Sequence, residues 1–169
     1  MAGLWEAPGV PHKGWRCIDV EDLRPDGGGD YVRGTCEMCL NGMLRVVHTM
    51  EHDEYPETVE VGCICAESMA EGYDGKAREA TLKKRRTRRQ GWLKRKWRTS
   101  EKGNPYLNIG DYNVGVFQRR YAPGGWIWRI NDQFGKTTFP TEQDAKLALF
   151  DVLSSRVGWD GQAILNQHG

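Results

Sequence analysis

The stretch CEMCLNGMLRVVHTMEHDEYPETVEVGCIC, residues 36–65, decides the fold of the first half of this 169-residue chain. It opens with a C-x-x-C pair and closes with a C-x-C pair, which together contain Cys36, Cys39, Cys63 and Cys65. Two close-set cysteine pairs, the second leading into a helix-forming run, are typical of a four-coordinate zinc site. We therefore predict a structural zinc ion in a closed tetrahedral site that these four cysteines provide.

The fourth ligand stays open at this point. It is open because the second pair is C-x-C rather than C-x-x-C. Cys65 is the favoured fourth ligand, and His52 or His48 is its substitute. Two buried pairs of free thiols are the structural alternative, and a redox pair is disfavoured because no βαβ pattern surrounds Cys36. The fifth cysteine, Cys17, has apolar neighbours and is predicted to be a buried, inert thiol.

The order of elements around the cysteines predicts a small module. Residues 39–42 favour a tight turn in which Asn and Gly adopt positive φ. Two strands are predicted at residues 43–50 and 58–61, joined by a charged loop, and a helix is predicted at residues 65–72. A further strand is predicted over 14–23, after a loose arm at 1–13. Over about residues 34–72 this order resembles the treble-clef zinc finger, which implies a zinc-stabilised module at 14–75.

The treble clef also underlies a nuclease family, of the HNH type, so the resemblance raises the question of catalysis. Those enzymes use a His at the end of the first hairpin strand and an Asn or His on the helix. His48 matches the first position, but no His or Asn follows between Cys65 and Lys102. We therefore predict no catalytic residues and a scaffold role for the metal.

A net charge of +1 conceals a strong asymmetry along the chain. Residues 1–75 carry 5 basic and 15 acidic side chains, whereas residues 76–98 carry 12 basic and 1 acidic. Residues 76–98 are mostly good helix formers and predict a basic helix that binds nucleic-acid phosphates, with Trp92 and Trp97 as a stacking surface. Pairing with the acidic first half and a nuclear-import signal are the alternatives. The predicted phosphate-binding residues here are Lys83, Lys84, Arg85, Arg86, Arg88, Arg89, Lys94, Arg95, Lys96 and Arg98.

After a connector at 98–110, the pattern predicts three strands and a helix. The strands are expected at 113–117, 126–130 and 137–139, and the helix begins at Thr141 with a capping box to Asp144. The motifs Gly115-Val116, Gly125-Trp126 and "FPTEQDA" at 139–145 resemble AP2-type and integrase-arm DNA-binding domains, here at 104–158 before a tail at 159–169. In that family the sheet lies in the major groove with the helix behind it. The resemblance implies that the sheet residues Arg119, Arg120, Trp128, Arg129 and Lys136 face the DNA. The alternative for Trp126 and Trp128 is that they belong to the core.

The sequence thus predicts an α+β fold: a zinc-stabilised hairpin and helix, a basic helix, and a three-stranded antiparallel sheet packed on one helix. The expected function is non-catalytic nucleic-acid binding, and only the AP2-like resemblance favours DNA over RNA. The alternative is an adaptor that binds a protein partner through its acidic N-terminal half. No apolar run approaches the roughly 20 residues of a membrane helix, and the N-terminus lacks a secretory signal. We therefore expect a cytoplasmic protein, nucleoid-associated in a bacterium or nuclear in a eukaryote.

Overall fold

A computed structural model describes residues 2–26, 28–121 and 124–157. Within these ranges the fold is mixed α+β, with three α-helices, a three-stranded sheet and a five-stranded sheet, both antiparallel. The chain divides into two compact units, Met1–Lys84 and Arg85–Gly169. None of the described helices is long and apolar enough to cross a membrane. The tail predicted at 159–169 lies outside the described residues.

The first unit is a sheet in the order β1-β2-β3 with a short helix that follows β3. The hairpin is tighter than predicted, because His52 pairs with Tyr55 and leaves only two residues in the turn. Pro56 is tolerated inside β3 because β3 is an edge strand, where a missing N–H breaks no ladder. The elements are β1 (Arg16–Asp22), β2 (Val46–His52), β3 (Tyr55–Val61) and α1 (Cys63–Met69).

The N-terminal segment differs from the loose arm predicted for 1–13. The amides of Leu4 and Trp5 donate to the carbonyls of Glu37 and Met38 at 2.9 and 3.2 Å. Gly3 approaches the same backbone so closely that a Cβ there would lie 2.2 Å from the Met38 oxygen. Leu4 and Trp5 also pack against the core of the first unit. The absence of a side chain at Gly3 therefore allows this segment to approach the cysteine turn closely.

The second unit contains a five-stranded sheet rather than the three-stranded one predicted. Residues 98–110, expected as a connector, contain β4 (Arg98–Thr99) and β5 (Pro105–Ile109). β6 (Tyr112–Gln118) and β7 (Trp126–Ile130) lie where they were expected, and β8 is Gln133–Phe134. The third strand predicted at 137–139 is only an isolated bridge between Trp126 and Phe139.

One helix, α3 (Glu142–Val157), packs on one face of this sheet. The predicted cap is confirmed, since the Asp144 amide donates to Thr141 Oγ1 at 3.1 Å. Alternation along β6 and β7 sends every second side chain toward α3. The buried core of this unit includes Val114, Val116, Trp128, Ile130, Ala145, Leu149, Phe150 and Leu153.

The basic helix, α2 (Gly75–Leu93), ends five residues earlier than the 76–98 prediction. Trp92 is 1% exposed in the core of the second unit, and its indole N–H donates to the Lys146 carbonyl at 2.6 Å. The Trp97 ring stands edge-on to Trp92 with their centroids 5.0 Å apart. The prediction of a stacking surface at Trp92 is therefore wrong, because this ring is buried in the core and cannot stack on a base.

Candidate metal centre and nucleic-acid interface

Three of the four predicted ligands come together in the first unit. The sulfurs of Cys36, Cys39 and Cys65 all lie within 4.8 Å of one another. The first two are held by a tight turn in which the Leu40 amide donates to the Cys36 carbonyl at 2.7 Å. Leu40, rather than the predicted Asn41 or Gly42, takes the positive φ of this turn, at 63°. This backbone arrangement turns both thiols of the C-x-x-C pair toward the Cys65 sulfur.

Cys63 is not part of this cluster, which differs from the predicted ligand set. Both cysteines of the C-x-C pair lie in α1, where two positions along the helix correspond to a rotation of about 200°. The Cys63 thiol therefore points elsewhere and donates a hydrogen bond to the Glu79 carboxylate. Burial, together with Glu79, raises the pKa of this thiol. Within the described part of the chain, no fourth Cys, His, Asp or Glu donor atom joins the three sulfurs at this distance.

The donor set of the three-cysteine cluster fits a soft divalent cation. The Asn41 backbone N–H donates to the Cys39 sulfur and lowers the pKa of that thiol. Burial raises the pKa of Cys65 to about 12, while the Trp5 indole N–H donates to its sulfur and opposes that rise. Without a cation, three adjacent thiolates would repel one another, whereas a bound cation stabilises all three. Thiolate ligands that also accept N–H donors suit zinc.

Neither histidine of the hairpin belongs to the cluster. His48 is fully buried, and its Nδ1 and Nε2 lie 2.7 Å from the Tyr73 hydroxyl and 3.0 Å from Glu79 Oε1. Both nitrogens are therefore engaged inside the first unit, which favours a structural role over that of a base facing substrate. His52 Nδ1 accepts a hydrogen bond from the Glu54 amide. Cys17, predicted to be buried, is half-buried.

The second unit presents the other sheet face, opposite α3, as an open surface. The strand register aligns one residue from each strand in a row on this face: Arg98, Tyr106, Gly115, Arg129 and Phe134. Phe117 and Ile127 form a neighbouring pair on the same face. Because these residues alternate with the core positions, the open face carries aromatic rings and guanidinium groups together.

A concavity of about 1100 Å³ lies on this face, and we call it the sheet-face groove. Its basic and aromatic lining consists of Lys102, Arg119, Arg120, Arg129, Phe117, Tyr121, Trp126 and Phe134. Arg129 is held in place because its guanidinium donates to the Asn131 carbonyl at 2.7 Å and to the Asn113 side chain. Among the described residues, no carboxylate forms an ion pair with Arg119 or Arg120. The groove is therefore positively charged and lined by aromatic rings.

The sheet residues predicted to face DNA separate into two groups. Arg119, Arg120 and Arg129 meet in the sheet-face groove, whereas Lys136 does not line it. Trp128 is 7% exposed and belongs to the core, so its prediction as a DNA-facing residue is wrong. The predictions missed Lys102, Phe117, Tyr121 and Phe134. Alternation along β7 places Ile127 on the same face as Arg129, and Ile127 pairs with Phe117 in the register of β6 and β7. This alternation is the sequence signal that could have identified Phe117.

The basic residues of α2 are partly used inside the second unit. Arg85 and Arg89 form ion pairs with Asp151 of α3 at 2.8 and 2.9 Å. These two arginines therefore pair with α3 of the same unit. The guanidinium of Arg95 lies 5.8 Å from the Trp92 ring centroid. The other predicted phosphate-binding residues are Lys83, Lys84, Arg86 and Arg88 on α2, Lys94 and Lys96 just after it, and Arg98 on β4.

No protein-family model, curated protein or solved structure matches this chain.

Proposed function

We propose that this chain is a non-catalytic nucleic-acid-binding protein whose first unit is stabilised by zinc. The observation that carries the proposal is the sheet-face groove, in which Arg119, Arg120 and Arg129 lie around exposed aromatic rings. None of these three arginines forms an ion pair with another described residue. Guanidinium groups bind phosphate oxygens, and aromatic rings stack on bases, so this combination suits a polyanion that carries planar rings. An acidic protein segment could pair with the arginines, but it carries no bases to stack on the aromatic rings.

Zinc would act as a scaffold in this proposal. Cys36, Cys39 and Cys65 would hold the ion and join the cysteine turn to α1. Burial of two of the three sulfurs and the cover provided by Trp5 favour a structural role over exchange of substrate at the metal. The treble-clef resemblance of the first unit also implies a zinc scaffold, and it remains part of the proposal.

The remaining basic residues of α2 would add phosphate affinity that does not depend on base sequence. Each phosphate that a lysine or arginine neutralises releases a condensed counterion, so affinity falls steeply as salt increases. DNA is favoured over RNA through the AP2-like resemblance alone.

Titration of a fluorescein-labelled oligonucleotide with the intact protein tests this function. The expected result is an anisotropy increase whose affinity falls with salt along a log–log slope of about −3 or steeper, as three or more phosphate contacts require. The purified protein is also expected to carry nucleic acid, seen as a raised ratio of absorbance at ~260 nm to that at ~280 nm. No anisotropy change at low salt would contradict the proposal and would favour the protein-binding adaptor.

A further inference from the structure

We infer that the sheet-face groove binds single-stranded nucleic acid by stacking unpaired bases on its aromatic rings. The inference rests on the proposed function and specifies the class of nucleic acid. It departs from the docking of the sheet in a duplex major groove that the AP2-like resemblance implies.

The exposed rings are the first observation. Phe134 is 56% exposed on β8 and Tyr121 is 83% exposed beside β6. Phe134 and Phe117 stand at 85° with their centroids 5.6 Å apart, so the ring of one meets the edge of the other. Apolar rings exposed in this way cost free energy in water unless a partner covers them.

The position of the charges is the second observation. Arg129 pairs with Phe134 in the strand register and is fixed by its bonds to Asn131 and Asn113. Arg119 and Arg120 lie in the same groove without an ion-pair partner among the described residues. A strand whose bases stack on Phe134 therefore has cationic groups nearby for its phosphates.

The shape of the face is the third observation. Gly115, at the centre of the row between Tyr106 and Arg129, is buried and packs closely against β5, since a Cβ there would lie 2.9 Å from the Pro105 carbonyl oxygen. No side chain therefore stands above the sheet at this position. In a duplex the base faces are covered by their neighbours, and a protein reaches only base edges and phosphates. Rings that stand on an open sheet are therefore suited to bases that are already unpaired.

The test compares the intact protein with labelled oligothymidylate and oligouridylate of about 12 nucleotides and with a DNA duplex of similar length, all at one salt concentration. We expect at least one single strand to bind about tenfold more tightly than the duplex. Phe134→Ala and Phe134→Leu should each weaken single-strand binding about tenfold and leave duplex binding unchanged, whereas Phe134→Trp should retain it. The leucine variant separates stacking from apolar contact. Because Phe134 is exposed, all three variants are expected to stay folded.

Three outcomes overturn the inference. Tighter binding of the duplex than of both single strands would place a duplex on the sheet and leave the proposed function intact. Equal retention of single-strand affinity by all three Phe134 variants would remove base stacking from this face. Failure of every oligonucleotide to bind would reject the proposed function itself.

Discussion

Replacing Cys65 by serine is expected to remove the metal from the protein and to unfold the first unit. Structural zinc in small modules contributes on the order of 10 kcal/mol at neutral pH, which is comparable to the whole stability of a domain. The second unit contains no cysteine and is expected to remain folded. Elemental analysis reports the zinc content, and ¹H–¹⁵N correlation spectra report the two units separately. Dispersed signals should be lost for Val59 and Val61 and kept for Val114 and Leu149.

The C-x-C pair supplies a matched control for this experiment. Cys63→Ser is the same substitution two residues away, on a thiol that contacts Glu79 instead of the cluster, and it is expected to retain zinc. His52→Ala is expected to retain zinc as well. In the cobalt-substituted protein, the thiolate charge-transfer absorption should match three cysteines and should be unchanged by Cys63→Ser. Equal loss of metal in both serine variants, or a folded zinc-free wild type, would contradict this assignment.

Reversing two charges in the sheet-face groove is expected to cause a large loss of oligonucleotide affinity. Arg119→Glu combined with Arg120→Glu should weaken oligonucleotide binding by roughly 100-fold, as two contacts of ~1.4 kcal/mol each would give. Both side chains are exposed, so the double variant is expected to stay folded, with a change in stability of ~0.5 kcal/mol or less for each substitution. The log–log salt slope should become shallower by about two, because two phosphate contacts are lost.

Lys136→Glu is the control for this variant, because it makes the same type of charge change outside the groove lining. We expect it to reduce affinity only slightly, through screened long-range repulsion. Anisotropy titrations over a range of salt concentrations give both the affinity and the slope. If the loss of affinity for each reversed charge is as large in Lys136→Glu as in the double groove variant, the groove is not the contact surface.

The three-cysteine cluster shows which features cannot be predicted from local sequence patterns alone. The C-x-x-C turn is a local motif, and its two sulfurs meet as the spacing predicts. The choice between Cys63 and Cys65 depends on where α1 begins, and the sequence pattern locates a helix far better than it locates the helix's first residue. α1 begins at Cys63, two residues before the predicted start, and this shift sends the two thiols to different sides of the helix.

In the second unit, too, some features follow from the local sequence and others depend on packing between distant segments. Alternation in "WIWRI" correctly separates Arg129 from Ile130, because a strand has a strict period of two. β5 was not predicted because it begins at Pro105, and a proline at the first residue of a strand resembles a loop signal. Whether Trp92 and Trp128 stack on a ligand or fill the core depends on α3, which packs against them from a distant part of the sequence.

A ¹H–¹⁵N correlation titration of the intact protein with a single-stranded oligonucleotide tests most directly whether nucleic acid binds in the sheet-face groove. We expect the largest chemical-shift changes at Phe117, Arg119, Arg129 and Phe134, with little change at Cys36 and its neighbours in the three-cysteine cluster. An unchanged spectrum at saturating oligonucleotide, or changes confined to the first unit, would contradict this expectation.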